Sequence, residues 1–415
     1  MSIGFAGFRN REFIMISSVQ ASSLITANTA VLPVESVPFS EAAGRVLREP
    51  ILADRDVPPF DRAMMDGIAF AHRSWARGNR RFRVDGVQAA GEPAQSLTDG
   101  DACFEIMTGA VVTAGCDCVV PYEETEIADG YAEVGAGFVP EAGKFIHRRG
   151  SDHPRGAELV PAGRRLSARE IACAASCGYA RLDVTCQPCV TLVSTGDELV
   201  DVDQPVEPHE IRSSNAYALR AALGALGIPR ANNRHLRDDQ ETLERSLREI
   251  LETSEIVILS GGISRGKFDF VPEILAKLGV ERLFHGVSQR PGKPFWFGTR
   301  EDGTTVFALP GNPLSTVVCF HRYVAPAIEK MLGLAPSPQV FAALAEAFQF
   351  GPPLTLFLPV RVRCDRKGRL SAEPRPANNS GDYAAIVPTD GFLELPGESQ
   401  SEFAAGFAAR YFSWL

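Results

Sequence analysis

Four short loops hold residue types and spacings that could do chemistry on an anion. Three of them, Thr195-Gly196-Asp197-Glu198, Gly261-Gly262-Ile263-Ser264-Arg265-Gly266 and Pro310-Gly311-Asn312-Pro313, each follow a short apolar run. Glycine lets a backbone approach a ligand closely, and N–H groups at a turn or helix start can cradle a phosphate. Carboxylates gather in the same stretches: Asp197 and Glu198, Asp238 and Asp239, and Asp269. Converging on a phosphate they would repel it, unless a hard cation such as Mg²⁺ stood between. In the fourth loop, Arg290-Pro291-Gly292-Lys293-Pro294, Lys293 sits in a rigid Pro/Gly setting suited to holding an oxyanion. The run Gly262–Gly266 also matches the G-x-S-x-G of a hydrolase elbow, with Asp269 and then His285 or His321 downstream. An elbow serine stands on a direct strand-to-helix turn, whereas Lys267-Phe268-Asp269 prolong this loop, which argues against serine hydrolysis. None of the seven histidines has metal-ligand spacing.

The elements that must position these loops read as β-strands alternating with helices, the pattern of a parallel sheet. The apolar runs 190–194, 256–260 and 305–309 are central strands; helices are expected over 214–226, 241–251, 270–278 and 315–331. In such a sheet ligands bind beyond the carboxyl ends of the strands, where the loops lie. Upstream, residues 18–47 read as helical, with Ser18 and Ser40 as N-caps and Pro50 as a stop. The prolines of Asp56-Val57-Pro58-Pro59-Phe60-Asp61 end that region, and residues 68–137 alternate in short runs broken by Gly, Pro and Asp. From residue 335 the texture is β again.

Length at roughly 150 residues per domain suggests two or three domains, and the change of texture raises this to four. Hydrophobic residues at 45% and charged residues at 22% fit ordinary globular folding. The net charge of −9 argues against a nucleic-acid coat and requires any anion to be held by a local device. No window is apolar enough to span a membrane, and Phe13–Ile16 behind Arg9 and Arg11 is too short for a signal peptide core. Met15 is an alternative start. Nine cysteines, an odd number at low density, fit a reducing, cytoplasmic setting. Cys173, Cys177, Cys186 and Cys189 could be read as zinc ligands or as small buried hydrophobes, and the small-residue run 171–177 favours packing.

Taken in order, seven segments resemble the molybdopterin molybdenumtransferases, the MoeA and gephyrin E-domain group. They are Pro58–Gly67, including Met64-Met65-Asp66-Gly67; Ile106-Met107-Thr108-Gly109-Ala110; Arg148-Arg149-Gly150-Ser151-Asp152; Ser194–Leu199; Ser260–Gly266 with Asp269; Pro291-Gly292-Lys293-Pro294; and Leu309–Ser315. The likeness covers residues 18–395. It implies an α/β fold with added β-rich domains: a three-layer molybdopterin-binding core at 185–334, an N-terminal domain made of 15–55 and 140–184, an inserted β-rich domain at 56–139 and a C-terminal β-barrel-like domain at 335–415. It also implies a homodimer that inserts molybdate into adenylylated molybdopterin, Mg²⁺-dependently, as the phosphoanhydride to AMP is cleaved. Contact with molybdopterin adenylyltransferase or molybdoenzyme chaperones belongs to the same implication.

By that resemblance Asp66 and Thr108 would reach in from the other subunit, and Glu198, Asp238 and Asp269 would surround Mg²⁺ and the pyrophosphate. Lys293, Pro310, Pro313 and Ser315 would hold molybdate, and Asp152 would support the pterin. Thr195, Gly196, Asp197, Gly261, Gly262, Ser264, Arg290, Gly311 and Asn312 complete the expected substrate contacts. The chain departs from the family pattern at Arg62-Ala63, where Asn-Ser is usual, at Ile68 in place of an aromatic, at Arg265, and at Arg290 in place of a lysine. Arginine keeps the charge but offers a planar fork instead of a point donor. A non-catalytic paralogue that binds or delivers the cofactor is the alternative.

Overall fold

The structure, a computed structural model, describes residues 15–263, 270–397 and 401–414. The first helix, Ser18–Ala27, is capped by Ser17: its hydroxyl accepts from the Gln20 amide at 3.2 Å while Gln20 Oε1 accepts from the Ser17 amide at 2.9 Å. Such reciprocal capping satisfies two amide donors that a helix start leaves without partners. The helix expected to follow is absent. Val34–Pro38 is instead a strand, antiparallel to Arg181–Thr185, and only a 3-10 turn at Phe39–Glu41 comes after it. Pro33 and Pro38 fix extended backbone here, and Val37 packs with Leu182 and Val184 in a small core.

This pairing joins two distant chain segments, and a second one, Ile51–Leu52 with Glu158–Val160, reinforces it. Beside it Ala53 N–H donates to Ala157 O at 2.9 Å and Gly156 N–H to Ala53 O at 2.8 Å. Between those points the chain builds a six-stranded sheet in the order Cys118–Pro121, Gly67–Phe70, Ala102–Ile106, Arg81–Gln88, Tyr131–Val134, Thr125–Ala128. It has its own two cores, one around Phe70 and Phe82, whose rings stack 4.2 Å apart, the other around Ala63, Ile106 and Val119.

The central sheet runs Ala231–Leu236, Val190–Thr195, Ile256–Ser260, Thr305–Leu309, Trp296–Thr299, Glu281–His285. Its first four strands are parallel and the last two antiparallel, a mixed edge on a parallel core. The three middle parallel strands are buried along their whole length, as their unbroken apolar runs require when helices cover both faces. Asn215–Ala225, Gln240–Thr253 and Val271–Lys277 are the covering helices, each within two residues of its expected bounds. The last helical segment is not one α-helix. It runs Pro313–Cys319, then a π-turn Phe320–Val324, then Ala325–Met331, because Pro326 brings no N–H to continue the regular ladder.

The C-terminal strands Val340–Leu344, Thr355–Cys364, Leu370–Pro374, Gly391–Leu395 and Ala408–Ser413 close into a five-stranded barrel through the additional pairing of Thr355–Cys364 with Gly391–Leu395. Gln289–Arg290, from the fourth loop, pairs with the start of Thr355–Cys364 and ties barrel to core. All nine cysteines are free; Cys177 packs in the same small core as Leu182, and Cys319 is fully buried.

Candidate functional site

Every central parallel strand ends in a loop that cannot be helix or sheet, and these ends share one edge. There they meet the Arg290–Pro294 loop and the barrel, enclosing a cleft of about 1130 Å³. Of the expected residues, Thr195, Gly196, Glu198, Asp238, Gly261, Gly262, Arg290, Lys293, Pro310, Gly311, Asn312, Pro313 and Ser315 line it. Asp197 does not; its carboxylate accepts from the Asp238 amide at 3.4 Å and so steadies the loop that carries Asp238. Asp239 caps the next helix through Thr242, a bond that also holds its carboxyl below the usual range. Ser264 and Asp269, with Arg265, lie outside the described residues.

Gly196 adopts a φ of +140°, and a Cβ there would stand 2.6 Å from the Glu198 carboxylate. Only glycine lets that carboxylate fold back over the strand end. His235 Nε2 braces the same turn at 2.9 Å from Gly196 O. Under Gly261 and Gly262 lies the Thr195 hydroxyl, buried and without a hydrogen-bond partner among the described residues. Arg290 and Lys293 line the same cleft, are exposed and form no ion pair among the described residues. One cleft thus holds carboxylates, an unpartnered hydroxyl and two cations.

The Pro310–Pro313 loop is held from both sides. Thr316 Oγ1 donates to Pro310 O at 2.6 Å, and Asn215 Nδ2 donates to Gly311 O at 2.8 Å and to Ser260 Oγ at 2.7 Å. From the barrel side, Ser380 Oγ accepts from Asn312 Nδ2 at 2.8 Å, Ser380 O accepts from the Leu314 amide at 3.0 Å, and Tyr383 donates to Asn215 Oδ1 at 3.2 Å. The sequence reading missed Asn215, Ser380 and Tyr383. Asn215 stands at a helix start after Ser213-Ser214, a place where a cap is the ordinary expectation. Ser380 and Tyr383 come from a barrel loop whose Asn-Asn-Ser-Gly-Asp composition says turn and nothing more.

Asp66, Thr108 and Asp152 are not brought into this cleft. Asp66 and Thr108 lie together on the inserted sheet, both exposed, with the Thr108 amide donating to Asp66 Oδ1 at 2.6 Å and holding that carboxyl below its usual range. Asp152 pairs with His147 Nε2 at 2.9 Å, and His147 Nδ1 lies 3.1 Å from Arg62 Nη2. Arg62, one of the departures from the family pattern, therefore orients the imidazole that faces Asp152.

A hard cation suits this cleft, for Glu198 and Asp238 offer carboxylate oxygens to it and the Thr195 hydroxyl has no partner among the described residues. Among the described residues no three His, Cys, Asp or Glu side chains form a metal cluster, so a cation held here would complete its shell from a ligand's oxygens.

Known proteins resemble the chain over almost its full length. Residues 16–178 match the MoeA N-terminal region (domain I and II), 191–330 a probable molybdopterin binding domain, and 342–407 the MoeA C-terminal region (domain IV). A molybdopterin molybdenumtransferase of Synechocystis sp. is 39% identical over 401 residues, 96% of this chain and 100% of that one. One from Staphylococcus aureus (strain MRSA252) is 32% identical over 93% of each chain. A molybdopterin biosynthesis MoeA protein from Pyrococcus horikosii, solved as a crystal structure, superposes with a TM-score of 0.83 at 28% identity, covering 97% of this chain and 99% of that one. With the motif loops assembled around one cleft and this likeness from residue 16 to the barrel, the chain belongs to the molybdopterin molybdenumtransferase family.

Proposed function

We propose that this protein inserts molybdate into adenylylated molybdopterin and releases AMP, with Mg²⁺ held by carboxylates of the cleft. As a member of its family it is a transferase of molybdenum cofactor biosynthesis; the adenylylated substrate, the cation and the shared site are the finer reading. The observation that carries it is that one cleft is lined by Glu198 and Asp238 and also by Arg290 and Lys293. A phosphoanhydride and an oxyanion can lie side by side only if each has its own counter-charge.

A divalent cation held there would supply counter-charge to the pyrophosphate. Glu198 and Asp238 would hold it, with Asp269 from the adjoining loop. Lys293 gives the molybdate a point charge and Arg290 a planar donor fork, aligning the oxyanion for the dithiolene. The Gly196, Gly261 and Gly262 backbone lets the substrate approach without side-chain obstruction, and the Pro310–Pro313 loop, braced by Asn215 and Ser380, forms the floor. In a homodimer, the exposed Asp66–Thr108 pair of a second copy would complete the site, since this chain does not fold it into its own cleft.

The test mixes purified protein with adenylylated molybdopterin, molybdate and Mg²⁺ and follows AMP and cofactor formation. Turnover is expected, with Glu198→Gln and Lys293→Met each lowering kcat/KM about 100-fold, as expected when an electrostatic contact to a developing charge is lost. Tight binding without AMP release would overturn the reading in favour of a cofactor carrier.

A further inference from the structure

We infer that Gln289 is a positioning residue that sets the two cations of the cleft, Arg290 and Lys293, for oxyanion binding; this rests on the molybdate reading above. Gln289 is buried, 1% exposed, immediately before the Arg290–Pro294 loop. Its Nε2 donates to Pro291 O and to Gly292 O, both at 3.2 Å, and touches Cys319 Sγ at 3.5 Å. Its Oε1 accepts from the Tyr323 hydroxyl, so the amide cannot flip without losing that bond as well. Tyr323 is itself fixed, 2% exposed and stacked on Phe295 with centroids 5.0 Å apart. Cys319 directly precedes the π-turn and Tyr323 lies within it, and both reach the one amide.

Gly292 lies directly on this platform. With φ at +90°, an added Cβ would stand 2.4 Å from Cys319 Sγ and 2.6 Å from Gln289 Nε2. The two carbonyls that precede Lys293 thus point inward at one buried amide, and the exposed Arg290 and Lys293 are turned outward on either side of the Pro-Gly pair. Further along, Lys293 O accepts from the Val287 amide at 2.9 Å, which closes the loop. The charges would survive removal of the Gln289 amide, but their spacing would not, and misplacement of about 1 Å can cost a large factor in rate. Gln289 touches the backbone that carries the cations; nothing requires it to touch the anion.

The experiment measures steady-state constants for molybdate and for adenylylated molybdopterin separately, together with the affinity of molybdate alone by titration calorimetry. Gln289→Met keeps the volume and removes both donors; a rise of about 10-fold in KM for molybdate is expected, with KM for adenylylated molybdopterin within about 2-fold. Gln289→Glu adds a pH readout. Buried, its carboxyl can donate only while protonated, so its molybdate KM relative to wild type should worsen as pH rises. Tyr323→Phe keeps the ring stacking and loses only the hydroxyl, with a smaller rise of the same kind. Wild-type molybdate constants in Gln289→Met and Tyr323→Phe, or an equal loss for both substrates, would overturn the inference while leaving the proposed reaction standing. If wild type releases no AMP, the reaction falls and calorimetry still decides: about 5-fold weaker molybdate binding in Gln289→Met supports the inference. Equal affinities, or no binding by either protein, sink it.

Discussion

At the scale of single residues, burial and hydrogen bonding decide which charges the fold depends on. Glu170 is the clearest case outside the cleft. It is 6% exposed, and the Ser167 hydroxyl and amide both donate to its carboxylate, the hydroxyl foremost in holding its pKa at about 2 instead of the ordinary 4.5. Because the folded value lies below the unfolded one, this stabilisation is fully present above about pH 4.5 and is lost as pH falls toward 2. Glu170→Gln should therefore lower the thermal midpoint near pH 7 and narrow the gap to wild type across that acid window, as read by pH-dependent melting. Single residues were also the most legible level of the site. Glu198 and the Pro310–Pro313 loop could be placed at one sheet edge from the sequence because each follows an unbroken apolar run, while Asp238 and Lys293 were singled out by their charge and by the motif likeness. Gln289 could not be singled out, since a polar residue beside a predicted loop carries no mark of burial.

Elements were legible where one physical rule governed them alone. The central strands are buried on both faces, so their sequences are unbroken apolar runs, and one of the helices between them, Gln240–Thr253, keeps a side-chain cap. The N-terminal stretch failed because its strand Val34–Pro38 exists only by pairing with Arg181–Thr185, some 145 residues later, a partner no local pattern can announce. Its first helix is self-sufficient by comparison, held by the Ser17–Gln20 capping box. Ser17→Ala should destabilise the protein by about 1 kcal/mol, measured by denaturant titration, with molybdate constants unchanged. The π-turn at Phe320–Val324 was likewise unreadable, and a single helix was expected straight through Pro326.

For the whole molecule, contacts between the parts matter more than any part. Arg322, 4% exposed on the π-turn, donates Nε and Nη2 to Glu394 of the barrel at 3.1 and 3.0 Å, and Nη1 to Ser22 Oγ of the first helix at 2.7 Å. One guanidinium thus joins three regions, its partners lying 300 residues before it and 72 after it in sequence. Arg322→Met should leave the Glu394 carboxylate buried and unpaired and cost about 3–5 kcal/mol, seen as a lowered denaturation midpoint. Glu394→Gln, which removes the charge from the other side, should cost less. The alternation of texture and the motif likeness suggested four parts, but these joints, which depend on where surfaces meet, leave no mark in the sequence. The inserted sheet stands apart from them. Its chain leaves and returns through the short ladder around Ala53 and Ala157, and its two cores share no residue with that of the ladder. Within one chain, any bend at that ladder would displace Asp66 and Thr108 together while leaving the cleft and its cations in place.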